Sequence, residues 1–252
     1  MSELTVLALL WCCLTLLLAG IVKGVLGIGL PVISIPLLAL VLQVPQAVAL
    51  LPIPILVSNV WQAFYGGYFF TSLRRFWALI LALIAGTAVG VKVLATVDQQ
   101  VLFGLIGVIV ILFSLTNYLQ PQLHLPKRGE LSVGIIVGFV GGVLGGLSTI
   151  FGPPLIMFLI ALRLSKDEFV GTIATLYLTG AVPLLIALGA FDVMGLKELL
   201  WSALATVPLF LGVLLGQLLR NRLNQEVFRK GLLAMLVIAG IALVRRAFVW
   251  TD

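Results

Sequence analysis

Apolar residues fill this chain in long blocks, with charges confined to the gaps. Uncharged runs cover residues 4–22, 24–73, 131–162 and 169–191. A helix that spans a bilayer takes about 20 apolar residues, so these runs hold several spans. They resolve into apolar stretches near 4–22, 29–43, 46–70, 75–96 and 99–119, and again near 131–145, 148–163, 168–191, 197–219 and 226–247. The first run lacks a basic start and leads into more membrane sequence, so it reads as a span and not as a removable signal peptide.

The two sets of stretches carry one pattern. Gly20, Gly24, Val25, Leu26 and Gly27 align with Gly138, Gly142, Val143, Leu144 and Gly145, and the same register lays Pro36-Leu37 on Pro154-Leu155. A second match pairs Gly86, Gly90, Asp98-Gln99 and Val101 with Gly212, Gly216, Asn224-Gln225 and Val227. Two matches in the same order indicate an internal duplication, with repeats over 1–122 and 130–252. The stretches beside each Gly-rich break are short and hold Pro31, Pro36, Pro153 and Pro154, which do not fit long straight helices. Each break is therefore expected to be a helical hairpin, or V, that enters the membrane and returns on the same side.

Charge placement tests that geometry. If each break is a return, Arg74-Arg75, Lys127-Arg128, Arg163 with Lys166, and Arg220 with Arg222 all fall on one face, against Lys197 and Arg245-Arg246 on the other. The positive-inside rule then makes the first face cytoplasmic and puts both termini outside. Trp77 and Trp201 begin equivalent spans, as interfacial aromatics do. An odd number of crossings per half makes the repeats inverted. The expected fold is all-α: a polytopic transmembrane bundle of two inverted repeats of about four helices each, the first helix of each broken. Inverted repeats with broken helices are a transporter architecture.

Composition narrows the chemistry. With 62% hydrophobic and 10% charged residues, and a mean hydropathy of +1.26, the chain is membrane domain throughout. The net charge of +6 belongs to topology-setting loops, so nucleic acid is not an expected partner. Adjacent Cys12 and Cys13 cannot face each other on a helix, and one histidine, His124, makes no metal site, so no cofactor is expected. All nine acidic residues, among them Asp98, Glu130, Asp167, Glu168, Asp192, Glu198 and Glu226, sit at predicted loops or helix ends. No buried carboxylate therefore supports a cation ligand or proton relay. Nucleophile–base and phosphate-loop motifs are absent, so an enzyme is not expected.

The breaks themselves suit an anion. A half-helix N-terminus exposes unpaired N–H groups at the positive end of its dipole, and glycine lets a ligand come close. Gly27 and Gly29 in the first break, and Gly145, Gly146, Ser148 and Thr149 in the second, are the candidates. Close helix packing accounts for the same glycines equally well. Lys23 and Gly24 stand at the first break, where the lysine would balance an anion. Lys92, near the end of a span, reads as a snorkelling side chain. Asn59 and Gln62 share a helix face. Thr175 belongs to a polar series with Thr172, Tyr177 and Thr179. Such groups join helices as readily as they touch cargo.

The segment Gly20-x-x-x-Gly-Val-Leu-Gly-Ile-Gly29, followed by Pro36-Leu37-Leu38 and repeated in the second half, resembles the opening signature of the TauE/SafE sulfite exporter family. The resemblance spans nearly the whole chain. The family's glycine triplet is reduced here to Gly27 and Gly29, and to Gly145-Gly146 before Leu-Ser-Thr. It implies a secondary transporter of the bacterial inner membrane exporting a small sulfur-containing anion such as sulfite, sulfoacetate or a related organosulfonate. Partners are then the anion and the lipid bilayer. A homodimer is allowed, because small-residue faces serve a dimer or internal packing equally. A carrier of another small anion, or a membrane scaffold with packing glycines only, are the rival readings.

Overall fold

A computed structural model describes residues 6–26, 30–64, 67–119, 125–126, 129–219, 222 and 224–249. Their regular secondary structure is helical throughout. In the first half these are α1 (Val6–Leu26), α2 (Leu30–Leu38), α3 (Val44–Ala49), α4 (Pro52–Phe64), α5 (Phe69–Arg75), α6 (Trp77–Thr96) and α7 (Gln99–Leu119). The second half holds α8 (Glu130–Ser148), α9 (Gly152–Ala161), α10 (Lys166–Ala190), α11 (Leu196–Leu219) and α12 (Gln225–Val249). Among the described residues, eight helical segments are long and apolar enough to cross a bilayer, with α3 and α4 counted as one. The predicted stretch near 46–70 is split, because Pro52 and Pro54 remove donors where α3 gives way to α4.

Local chemistry sets the ends. Ser165 accepts a hydrogen bond from the Glu168 amide at the start of α10, and Asp167 and Glu168 occupy its positive first turn. Asp192 follows α10, and Glu198 and Glu226 lie in the first turns of α11 and α12. Every acidic residue among the described ones is thus at a helix end or in a turn.

Both Gly-rich breaks reverse the chain. Across the first, the Trp11 indole on α1 donates to the Leu37 carbonyl on α2, 2.8 Å away, so α2 folds back along α1. In the second, Gly134 of α8 faces the Phe158 ring and Gly141 faces Pro154 and Leu155. Contacts that run backward in one helix as they run forward in the other define an antiparallel pair.

The helices then pack across the halves. α1 lies on α11 and α8 lies on α6 in two close seams, while α7 packs on α12 and α4 on α10. Under the correspondence of α1, α4, α6 and α7 with α8, α10, α11 and α12, exchanging the halves turns the first seam into the second. The same exchange returns the other two contacts to themselves.

Glycine makes the seams. A Cβ on Gly20 would fall onto the Leu209 carbonyl, and one on Gly24 onto the Val213 carbonyl. Gly212 and Gly216 answer with their own backbones against Leu17 and Ile21. Gly86 and Gly90 stand in the same relation to Phe139 and Val143, as do Gly138, Gly142 and Gly146 to Leu79, Leu83 and Thr87. Lipid gives helices no hydrophobic reason to associate, so backbone-to-backbone approach is the main source of contact. The order of these contacts makes α1 parallel to α11 and α8 parallel to α6. The α7–α12 pair is antiparallel: Gly104 approaches Ala247, and Arg229 donates to the Asn117 carbonyl at 3.1 Å.

Outward faces carry Leu10 and Leu14 on α1, Leu112 and Leu115 on α7, and Leu204 and Leu211 on α11, all exposed. Uncharged apolar surface of this extent suits hydrocarbon and not water.

Candidate functional site

The two breaks meet at one small cavity. The first break contributes Lys23, Leu30 and Pro31; the second contributes Thr149, Ile150, Phe151 and Gly152. Asn59 of α4, Phe113 of α7 and Tyr177 of α10 complete the polar and aromatic wall. No carboxylate lines it among the described residues.

Lys23 is the cavity's charge. It lies three residues before the end of α1, next to the Gly24 seam, and is 8% exposed. Its ammonium donates to the Asn59 side-chain carbonyl at 3.1 Å. The Asn59 amide in turn donates to the Ile55 carbonyl at 2.8 Å, which fixes which end of the side chain faces the lysine. An ammonium has three donors and no acceptor, and a single amide oxygen neither saturates nor neutralises it. Burying a charge so incompletely partnered is costly.

Thr149 is the matching group in the second break. It caps α8 in the left-handed conformation, φ +58°, and its amide donates to the Gly145 carbonyl at 2.6 Å. A β-branched residue disfavours that region. Its hydroxyl is buried and has no hydrogen-bond partner among the described residues. Tyr177 places its own hydroxyl against Gly152, where any side chain would collide with it: a Cβ there would stand 2.6 Å from the phenol oxygen.

The residues singled out in the sequence divide accordingly. Lys23, Asn59 and Thr149 come together on the cavity. Gly24 and Gly146 lie instead in the helix seams, facing α11 and α6. Gly145 sits beneath the Phe151 ring, which occupies the space of any side chain there. Ser148 turns its hydroxyl onto its own helix, donating to Leu144 at 2.7 Å. Thr175 does likewise toward Gly171, also at 2.7 Å. Gln62 is half-buried and off the cavity lining, so the face it was expected to share with Asn59 does not converge there. Gly27 and Gly29 lie outside the described residues. Lys92 is exposed, as a snorkelling residue is.

Tyr177, Phe113, Pro31 and Phe151 line the cavity without having been assigned to it from sequence. Pro31 and Phe151 adjoin the breaks, and Tyr177 is the only tyrosine in the uncharged run 169–191, so these had a signal. Phe113 had none, being one of several large apolar residues on α7.

On the loop side, one ionic cluster joins the halves. Arg75, at the end of α5, holds Glu130 through Nε at 2.7 Å and Nη2 at 3.1 Å, and Glu168 through Nη1 at 3.0 Å. The hydrogen bond to Glu130 and the two nearby carboxylates hold the guanidinium above its ordinary range, against a smaller opposing effect of burial. The end of α5 and the starts of α8 and α10 thereby share one face. Lys127, Arg128 and Arg220 lie outside the described residues.

Comparison with known proteins agrees with the architecture. No curated protein and no solved structure matches the chain. Residues 12–243 match the family model described as sulfite exporter TauE/SafE, nearly end to end. This multi-pass membrane protein belongs to the TauE/SafE sulfite exporter family, a family of membrane transporters.

Proposed function

We propose that the chain is a secondary transporter that exports a small anion, sulfite or an organosulfonate such as sulfoacetate, by alternating access. The observation that carries this reading is the buried cation Lys23, held by a neutral acceptor at the meeting point of the two breaks. A bound anion would complete what Asn59 leaves undone. Thr149 and Tyr177 would donate to its oxygens from the opposite half.

Helix directions support inversion of the repeats, 1–122 and 130–252. α1 runs with α11, α8 runs with α6, and α7 opposes α12. Consecutive spans α6–α7 and α11–α12 reverse direction in crossing the membrane. Tracing α1 to α11, α12, α7, α6 and α8 then leaves α1 and α8 pointing opposite ways. The first half rocking against the second about the glycine seams would open the cavity to each face in turn. The Arg75 face is cytoplasmic and both termini are outside in this reading. Membrane potential would then favour anion exit by about 2.3 kcal/mol per charge per 100 mV.

A scaffold with packing glycines accounts for the seams but gives no reason to bury Lys23. The test is thermal unfolding of purified protein against sulfite, sulfoacetate, taurine, sulfate and short carboxylates, since a ligand of the folded state raises its melting temperature. Stabilisation by sulfite or an organosulfonate, with counterflow of that anion in liposomes, is expected. No stabilisation by any of them, together with flat counterflow, would sink the proposal.

A further inference from the structure

A second, small cavity lies beside the first. It runs between α1, α2, α7 and α12. At one end stand Arg229, in the second turn of α12, and Asn117, in the last turn of α7. The Arg229 guanidinium donates to the Asn117 carbonyl, and the Asn117 amide donates to the Phe113 carbonyl at 3.0 Å. Leu232, Leu233 and Leu236 form the α12 wall leading inward.

Two residues, Val32 and Phe113, line both cavities. Phe113 is one helical turn deeper along α7 than Asn117, and is 8% exposed; Val32, just past the first break, is 4% exposed. On α1 the order repeats: Leu26, at the helix end, lines the second cavity, and Lys23, a turn deeper, lines the first. Depth therefore increases from Arg229 and Asn117, past Leu26, to the Phe113–Val32 pair, and then to Lys23 and Asn59. A cation stands at each end of this sequence, with apolar walls between.

We propose that the second cavity is the vestibule through which the anion reaches Lys23 from the loop side, with Phe113 and Val32 as the partition closed in this state. The inference rests on reading the Lys23 cavity as the anion site. Arg229 draws the anion in and supplies planar donors suited to an oxyanion. The leucine wall accepts an apolar body behind the charged head. Passage requires the Phe113 ring to swing aside, a rotamer change that leaves the α7 backbone in place. The lining thus admits a small oxyanion, bare or carrying a short apolar part.

Thiol accessibility tests the partition whatever the cargo. In a Cys12→Ser/Cys13→Ser background, Ile55→Cys reports on the first cavity alone, since Ile55 lines that one and not the second. A small anionic thiosulfonate reagent and a neutral one of equal size are applied to the protein in nanodiscs. Phe113→Ala, and the milder Phe113→Leu, are expected to raise labelling by both reagents. Arg229→Gln is expected to lower the anionic rate against the neutral rate by about tenfold, as loss of a focusing charge does.

Unchanged labelling in a Phe113 variant that remains monodisperse and melts like the parent overturns the partition. An anionic-to-neutral ratio unaffected by Arg229→Gln overturns the vestibule. An anionic rate that rises when anionic lipids are left out of the nanodisc assigns the cavity to a lipid headgroup, and overturns it likewise. Because the reagents are the probes, a protein that no anion stabilises would lose its proposed cargo while the labelling result still decided the partition.

Discussion

Lys23 and Asn59 join α1 to α4 side chain to side chain, 3.1 Å apart, at 8% and 3% exposure. The pair is charged on one side only. Substituting Lys23→Met keeps the shape and removes a buried charge that no countercharge offsets, whose burial is costly. The melting temperature without anion is expected to hold or rise, while the anion-dependent shift disappears. Asn59→Asp supplies the missing countercharge from within the protein. It should also abolish the shift, because an internal carboxylate competes with cargo for the ammonium. Thermal unfolding with and without sulfite checks both, and an Asn59→Asp protein that still responds fully would remove the pair from the site.

The seams predict a sharp contrast among glycines. Gly142→Ala drives a methyl group onto the Leu83 carbonyl, and Gly20→Ala drives one onto that of Leu209. Neither backbone can yield without parting two helices, so each should cost about 1–3 kcal/mol, as overpacking does. Gly231→Ala, where nothing lies within 4 Å, should be neutral or slightly stabilising through helix propensity. Melting temperatures of the three variants compare them directly. Equal behaviour would mean that the seams do not hold the halves together.

The same glycines show how much the sequence disclosed. Their spacing pointed to the breaks, because Gly-x-x-x-Gly and Pro leave a mark on any helix that carries them. It did not reveal that α1 packs on α11 and α8 on α6, since a small-residue face fits any other small-residue face. Gly24 and Gly146, candidate binding residues by sequence, therefore lie in the seams without the sequence having placed them there. Polar groups were ambiguous for a related reason. Thr175 and Ser148 satisfy themselves on carbonyls one turn back, an option open to every hydroxyl in an apolar helix. Lys23 has no such local option for its charge, and with Thr149 it is a residue beside a break that lines the cavity.

Arg75 links the end of α5 to the starts of α8 and α10 by a two-pronged bond to Glu130 and a single bond to Glu168. Its side chain is 36% exposed, so solvent screening limits the cluster to roughly 0–1 kcal/mol. Arg75→Lys keeps the charge but loses the fork, and should cost at most that amount. Arg75→Glu gathers three carboxylates and should cost more, with part of the loss recovered at about 1 M salt, where the Debye length falls to about 3 Å. A guanidinium held above its ordinary range contributes stability that is complete below that range and lost only as pH rises through it. Between neutrality and pH about 10 the arginine should therefore add no pH dependence. An alkaline melting series on the Arg75→Gln and parent proteins, expected to run parallel, checks this.

Thr149 combines two unfavourable features, a left-handed backbone and a buried hydroxyl without a partner among the described residues. Each has a simple remedy. Thr149→Gly relieves the backbone, which costs on the order of 1 kcal/mol or more for a non-glycine residue, though the space it vacates offsets part of the gain. Thr149→Val keeps the branched shape and removes the unsatisfied hydroxyl, whose burial costs about 1–3 kcal/mol. Neither variant should melt below the parent in the absence of anion. Both should lose most of the stabilisation by sulfite or organosulfonate, because Thr149 lines the Lys23 cavity from the other half. If Thr149→Val binds the anion as the parent does, the hydroxyl has no part in the site, and the second break contributes only backbone and aromatic wall.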